Sequence, residues 1–220
     1  MAANRFIIWG SGSGPAWRVL IALEEKQLEY ESRLIEFSKG EHKSTEVLAL
    51  NPRGQVPVLK DGDVVVNESL AAVQYLEHTY SNNPLVPKDA KSRALVLQRF
   101  HEASNFIAKA TQVGYPKMRN LVNTPEEEAA WLEKVEELKA ELKFWESYVA
   151  GGFVAGSEFS IADISLAPFL LSVERYGGEL KDFPNLKKYA ETLKARPSIA
   201  KTFPPHWKTS PNQTWLAGLI

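Results

Sequence analysis

Hydroxyls and glycines are concentrated in one short stretch, Gly10-Ser11-Gly12-Ser13-Gly14-Pro15. Pro15 fits the first position of a helix, where its missing N–H costs nothing, so both serines arrive at a helix N-terminus. Such a terminus carries roughly half a positive charge and suits a thiolate. A nucleotide-loop reading of the same residues fails. A dinucleotide fingerprint starting at Gly10 needs glycine where Pro15 stands, and a phosphate loop needs Gly-Lys-Ser/Thr at its end. The bland alternative is a polar turn without chemistry, and these residues alone leave both readings open.

A second stretch runs from Asn51-Pro52-Arg53-Gly54-Gln55-Val56-Pro57 through Asp61-Gly62 to Asn67-Glu68-Ser69. Proline cannot donate to a sheet ladder, so Pro57 belongs at an edge, at a bulge or at a strand's first residue. A cis Val56–Pro57 bond is expected, with the Val56 N–H and C=O unpaired and open to an extended peptide, as in strand addition. Asp61-Gly62 between apolar runs predicts a two-residue type I′ turn. Ser69 stands where Leu70 to Tyr80 reads as a helix, and free N–H groups plus a hydroxyl there make a carboxylate site. The segment thus offers two handles for a small anionic peptide.

The 220 residues suffice for one large domain or two small ones. Lysine and arginine total 26 against 27 acidic residues, a net charge of −1, with no basic run, which argues against nucleic acid as a partner. Phe6-Ile7-Ile8-Trp9 is too short for the apolar core of a signal peptide. Ile161 to Val173 is too short to span a bilayer and contains Asp163 and Pro168. A cytoplasmic protein with no membrane partner is expected. Cysteine is absent, which removes disulfides, thiolate metal sites and a protein-borne thiol nucleophile. Any thiol chemistry must therefore use an imported thiol. His78, His101 and His206 lack partners at metal-ligand spacing, so they read as structural and no metal is expected.

The elements that must position these residues follow from periodicity. Residues 1–81 read as βαβ, then α, then ββα, with strands at Arg5–Trp9 and Tyr30–Phe37 and a short helix over Ser44–Leu50. Ser81-Asn82-Asn83-Pro84 is a turn-rich link. From 88 to 220 helical periodicity takes over. Thr124-Pro125-Glu126-Glu127 is a capping box, after which Trp131, Val135, Leu138, Leu142, Trp145 and Val149 mark one buried face. Ser160 and Asp163 form a second capping box. A helix end is expected at Gly114, with Tyr115-Pro116-Lys117-Met118 following it. The fold class is α+β with two domains.

An N-terminal strand with its Ser/Gly turn, a mid-domain Val56-Pro57, and Glu68-Ser69 opening a helix together resemble the cytosolic glutathione transferases, over nearly the whole chain. Trp17-Arg18-Val19, Gly40-Glu41-His42-Lys43-Ser44 and Asn51-Pro52-Arg53-Gly54-Gln55 are most similar to the rho class, near theta and zeta. The lack of cysteine departs from members that use an active-site cysteine. The resemblance implies a thioredoxin-like first domain (1–81), an all-helical second domain (88–220), glutathione as co-substrate, and conjugation to apolar electrophiles in a detoxification role. It also implies a homodimer, with Arg53 at its edge or in weak contact with ligand.

The family's Ser-x-Pro pattern falls on Ser13-Gly14-Pro15, making Ser13 the catalytic candidate and Ser11 its alternate. A hydroxyl donating to sulfur, with the helix dipole, lowers a thiol pKa of about 8.5 by about 2 units, roughly 2.7 kcal/mol. By the same resemblance His42 and Lys43, otherwise plain solvated surface, hold the glycyl carboxylate. Gln55, Val56 and Pro57 meet the cysteinyl backbone. Glu68 and Ser69 take the γ-glutamyl ammonium and carboxylate. Tyr115, Met118 and Trp207 face the electrophile, although apolar residues of this kind are more often core. The rival readings are a glutathione-dependent isomerase, as in zeta relatives, and a non-catalytic carrier of apolar ligands.

Overall fold

In the computed structural model, residues 4–220 are described; residues 1–3, at the head of the expected first domain, lie outside the described residues. Strand β1 (Arg5–Gly10) is buried at every position, which suits its unbroken Phe-Ile-Ile-Trp run. It lies between β2 (Glu31–Ile35), paired parallel, and β3 (Val58–Asp61), paired antiparallel. Strand β4 (Val64–Val66) extends the sheet, giving the order β2-β1-β3-β4. A parallel pair needs a crossover, and helix α1 (Gly14–Glu25) supplies it. Helix α2 (Thr45–Leu50) starts at Ser44, whose hydroxyl accepts from the Val47 N–H. It covers one sheet face, where Phe6, Ile8, Val47 and Val58 form a single cluster. Helix α3 (Ser69–Thr79) packs against α1. The order is the expected thioredoxin-like βαβ-α-ββα.

The hairpin differs from the expected Asp61-Gly62 turn. Asp61 pairs with Val64, so the linking residues are Gly62 and Asp63. Of these only Gly62 has positive φ, at 59°, which matches a type II′ rather than a type I′ loop. The side chain of Asp61 holds it in the ladder. Arg5 lies directly opposite with Nη2 2.9 Å from Oδ1, and the Tyr80 hydroxyl donates to Oδ2 at 2.5 Å.

Contacts divide the chain into two units, Met1–Val86 with Arg196–Ser210, and Pro87–Ala195 with Pro211–Ile220. Helices α8 (Pro197–Thr202) and α9 (Pro205–Thr209) therefore belong to the sheet-containing unit. Polar anchors hold them there. Arg196 grips Glu25 through Nε at 2.6 Å and Nη2 at 2.8 Å, and the Ser198 hydroxyl donates to the same carboxylate. Trp17 Nε1 donates to Thr202 Oγ1 at 2.9 Å. With the sheet, α3 and α8 all packed against it, α1 is buried nearly all round.

The second unit is built from α4 (Ala90–Met118), α5 (Pro125–Tyr148), α6 (Ile161–Arg175) and α7 (Pro184–Ala195). All six expected contact positions of the α5 face, Trp131 to Val149, are buried, and both capping boxes are formed. Helix α4 does not end at Gly114. It continues through Tyr115 and Pro116 to Met118. Glycine is needed there for close approach rather than for termination, since a Cβ on Gly114 would lie 2.4 Å from the Tyr176 ring.

Candidate functional site

Ser13 is the N-cap of α1, in extended backbone, and its Oγ accepts from the Ala16 N–H at 3.3 Å. That bond uses a lone pair and leaves the hydroxyl proton available to an acceptor. The first N–H groups of the helix lack intrahelical partners and point the same way. The turn ahead of it is tight: the Ser13 N–H donates to the Gly10 carbonyl at 3.1 Å, and Gly12 has φ of +84°. A Cβ on Gly10 would lie 2.2 Å from the ring of exposed Phe37, which would have to move aside. Ser11 has a different partner, with its Oγ 2.6 Å from His206 Nδ1. Nothing in the sequence signals that contact, and by spacing alone His206 reads as structural.

The register between β1 and β3 matches Ile8 with Val58. Val56 therefore leads into β3 at the end of β1 that carries the Ser11–Ser13 turn. The Val56–Pro57 bond is cis, as expected. Among the described residues, the N–H and C=O of Val56 have no hydrogen-bond partner. Asn51 builds the loop before it. Its buried side chain donates to the Gln55 carbonyl at 2.8 Å and accepts from the Arg53 N–H at 3.1 Å. Lys43 Nζ donates to the Arg53 carbonyl at 2.8 Å and lies across Gly54. His42 is half-buried, with its Nδ1 shielded and without a partner.

Glu68 is exposed and is the N-cap of α3, yet its side chain makes no capping bond. Ser69 opens the helix and is buried. Its Oγ accepts from Arg18 Nη1 at 3.4 Å. Burial pulls the Arg18 guanidinium from its ordinary value down to about 9. Nothing in the sequence signals the Arg18–Ser69 contact, because α1 and α3 meet only in the folded unit. Of the three residues expected to face the electrophile, Tyr115 and Met118 are exposed on α4, with the Tyr176 hydroxyl 4.0 Å from the Met118 sulfur. Trp207 belongs to the first unit, half-buried and edge-on to Trp17 and Phe203 at 5.4 Å each.

Two family models match the chain: the glutathione S-transferase N-terminal domain over residues 13–79, and the glutathione S-transferase C-terminal domain over 84–197. "Glutathione S-transferase A" of Pleuronectes platessa is 42% identical over 217 residues, covering 96% of each chain. A "probable maleylacetoacetate isomerase" of Vibrio cholerae is 32% identical over 208 residues, covering 87% of this chain and 92% of that one. Among solved structures, a glutathione S-transferase from the Antarctic clam Laternula elliptica superposes with a TM-score of 0.92 at 44% identity, covering 99% and 100% of the two chains.

Proposed function

The chain belongs to the glutathione S-transferase family, and we propose that it binds glutathione, holds its sulfur as the thiolate and adds that sulfur to electrophilic carbon in small apolar compounds. The observation that carries the reading is Ser13. Its oxygen is engaged by α1 while its proton is available, at the positive end of a helix. A thiol there, lowered by about 2 units from about 8.5, is mostly thiolate at neutral pH. Ser13 is not the nucleophile in this scheme; it stabilises one.

The peptide contacts divide by charge. Val56 offers its N–H and C=O to the cysteinyl backbone in the manner of an added strand, with Gln55 and Pro57 beside it. Glu68, unused in capping its own helix, takes the γ-glutamyl ammonium. Ser69 and the α3 N-terminus take the adjacent carboxylate, with the Arg18 cation behind them. His42 and Lys43 take the glycyl carboxylate. Within the family we assign the chain to the rho class on Trp17-Arg18-Val19, the Gly40–Ser44 segment and the Asn51–Gln55 segment, acting as a cytoplasmic homodimer in detoxification.

Retention on immobilised glutathione, followed by conjugation of an aryl halide, tests the reading. Elution in the flow-through overturns it, and retention without conjugation points to a carrier. Light scattering should give twice the 24.6 kDa chain mass. The isomerase-named relative from Vibrio cholerae favours one second reading, glutathione-dependent isomerisation. Turnover of maleylacetoacetate far above that of aryl halides would select it.

A further inference from the structure

We propose that His206 is a positioning residue of the thiol site, holding the Gly10–Ser13 turn in place through its hydrogen bond to Ser11. The inference rests on the transferase reading above. Ser11 Oγ and His206 Nδ1 are 2.6 Å apart. A Cβ added to Gly12 would meet His206 Cε1 at 3.3 Å and Nε2 at 3.5 Å, so the imidazole packs against the turn. Glycine at positions 10, 12 and 14 gives this segment the greatest conformational freedom to lose. A side chain that pins it therefore has unusual leverage on where the Ser13 hydroxyl sits.

His206 is itself held. Helix α9 is only five residues long and is too short to be stable alone. Trp207 secures it, edge-on to Trp17 and to Phe203, while Trp17 also donates to Thr202. The Ser210 hydroxyl closes the segment by donating to the His206 carbonyl at 2.6 Å. The tail thus grips α1 in its first turns at Trp17 and reaches back through His206 to the residues just ahead of the cap. Either tautomer serves, since Nδ1 can accept from the Ser11 hydroxyl or donate to its oxygen. The two serines then divide the work, Ser13 toward sulfur and Ser11 toward the tail.

The test is the thiol pKa of bound glutathione, read from the ultraviolet absorbance of the thiolate on the full chain. His206→Ala and Ser11→Ala should each lower the thiolate fraction at pH 6.5 about three- to tenfold, and the double variant should lose no more than either single one. His206→Asn, whose amide reaches the place of Nδ1, should restore most of the loss, while His206→Gln, whose amide reaches the place of Nε2, should not. An unchanged thiol pKa, multiplied losses in the double variant, or Asn no better than Ala overturns the inference. So does a Ser11→Ala loss tenfold larger than that of His206→Ala, which would put Ser11 itself on the sulfur. Should His206→Ala fail to fold, Ser11→Ala removes the same bond with the tryptophan cluster intact, and the Asn and Gln pair carries the comparison. In the unaltered chain, a bound thiol that titrates as in water defeats the transferase reading itself. A lowered thiol pKa that these variants leave alone defeats only the role of His206.

Discussion

Ser13 and Ser160 are both N-cap serines, yet their surroundings are opposite. Ser160 is buried, accepts from the Ala162 N–H at 3.3 Å and donates to Asp163 Oδ2 at 3.0 Å. Asp163 in turn accepts from the Ser160 and Val154 N–H groups and from the Tyr189 hydroxyl, at 2.8, 3.1 and 2.8 Å. Burial pushes its carboxyl above the ordinary range against the pull of those donors. Ser13 is half-exposed and makes one long capping bond as acceptor. A cap that is fully satisfied does structural work only. One that leaves a proton unused can serve a ligand. Glu68, a cap residue with no capping bond, falls on the same side as Ser13.

The largest effect expected from this contrast is at Asp163. Asp163→Ala removes the shared acceptor of two backbone N–H groups and the Tyr189 and Ser160 hydroxyls, and should lower stability by about 3–5 kcal/mol. Urea unfolding measures it, and a loss under about 1 kcal/mol would erase the distinction between the two caps. Next comes Glu68→Ala, which should raise the KM for glutathione about ten- to hundredfold. A charge-assisted pair contributes about 1.5–3 kcal/mol, here alike in ground and transition states. Steady-state kinetics on variants with matched circular dichroism check this; an unchanged KM removes Glu68 from the site.

Ser13→Ala should slow conjugation at neutral pH about tenfold with a far smaller change in glutathione affinity, since peptide contacts remain. Its stability loss should stay near 1 kcal/mol, that of an ordinary cap. If Ser11→Ala gives the larger kinetic loss, the roles of the two serines are exchanged.

The smallest effect sharpens the contrast inside the first unit, where Glu25 is as fully engaged as Asp163. Burial raises its carboxyl, but hydrogen bonds from Arg196, Ser198 and Asn83 and the charge of Arg196 outweigh it and hold the pKa below the ordinary 4.5. A lowered carboxylate pKa stabilises the fold above 4.5, and that contribution disappears as pH falls through the folded value. The melting temperature should therefore decline below about pH 4.5, and Glu25→Gln should start lower and decline less. Parallel curves for the two proteins would count against the pairing.

Much of this was legible in the sequence because it is local. Pro15 and Pro125 near helix starts depend only on their own rings, and the Thr124 and Ser160 capping boxes and the α5 stripe on residues three or four positions apart. So does the short α2 helix behind Ser44. The hairpin was legible as a hairpin but not in register, since Asp61 is fixed by Arg5 and Tyr80 from elsewhere in the chain.

What only the tertiary structure decided has no periodic signature. Gly114 reads as a helix end until Tyr176 is seen to pack against it. Arg18 reads as one more residue of α1 until α3 brings Ser69 to it. Residues 196–210 return to the first unit through Glu25, Thr202 and Trp207. That return sets His206 against Ser11, 195 positions earlier. A sequence determines what each residue can do with its near neighbours. Which distant groups are left with a free proton, a free lone pair or an uncancelled charge is settled only when packing assigns every other partner.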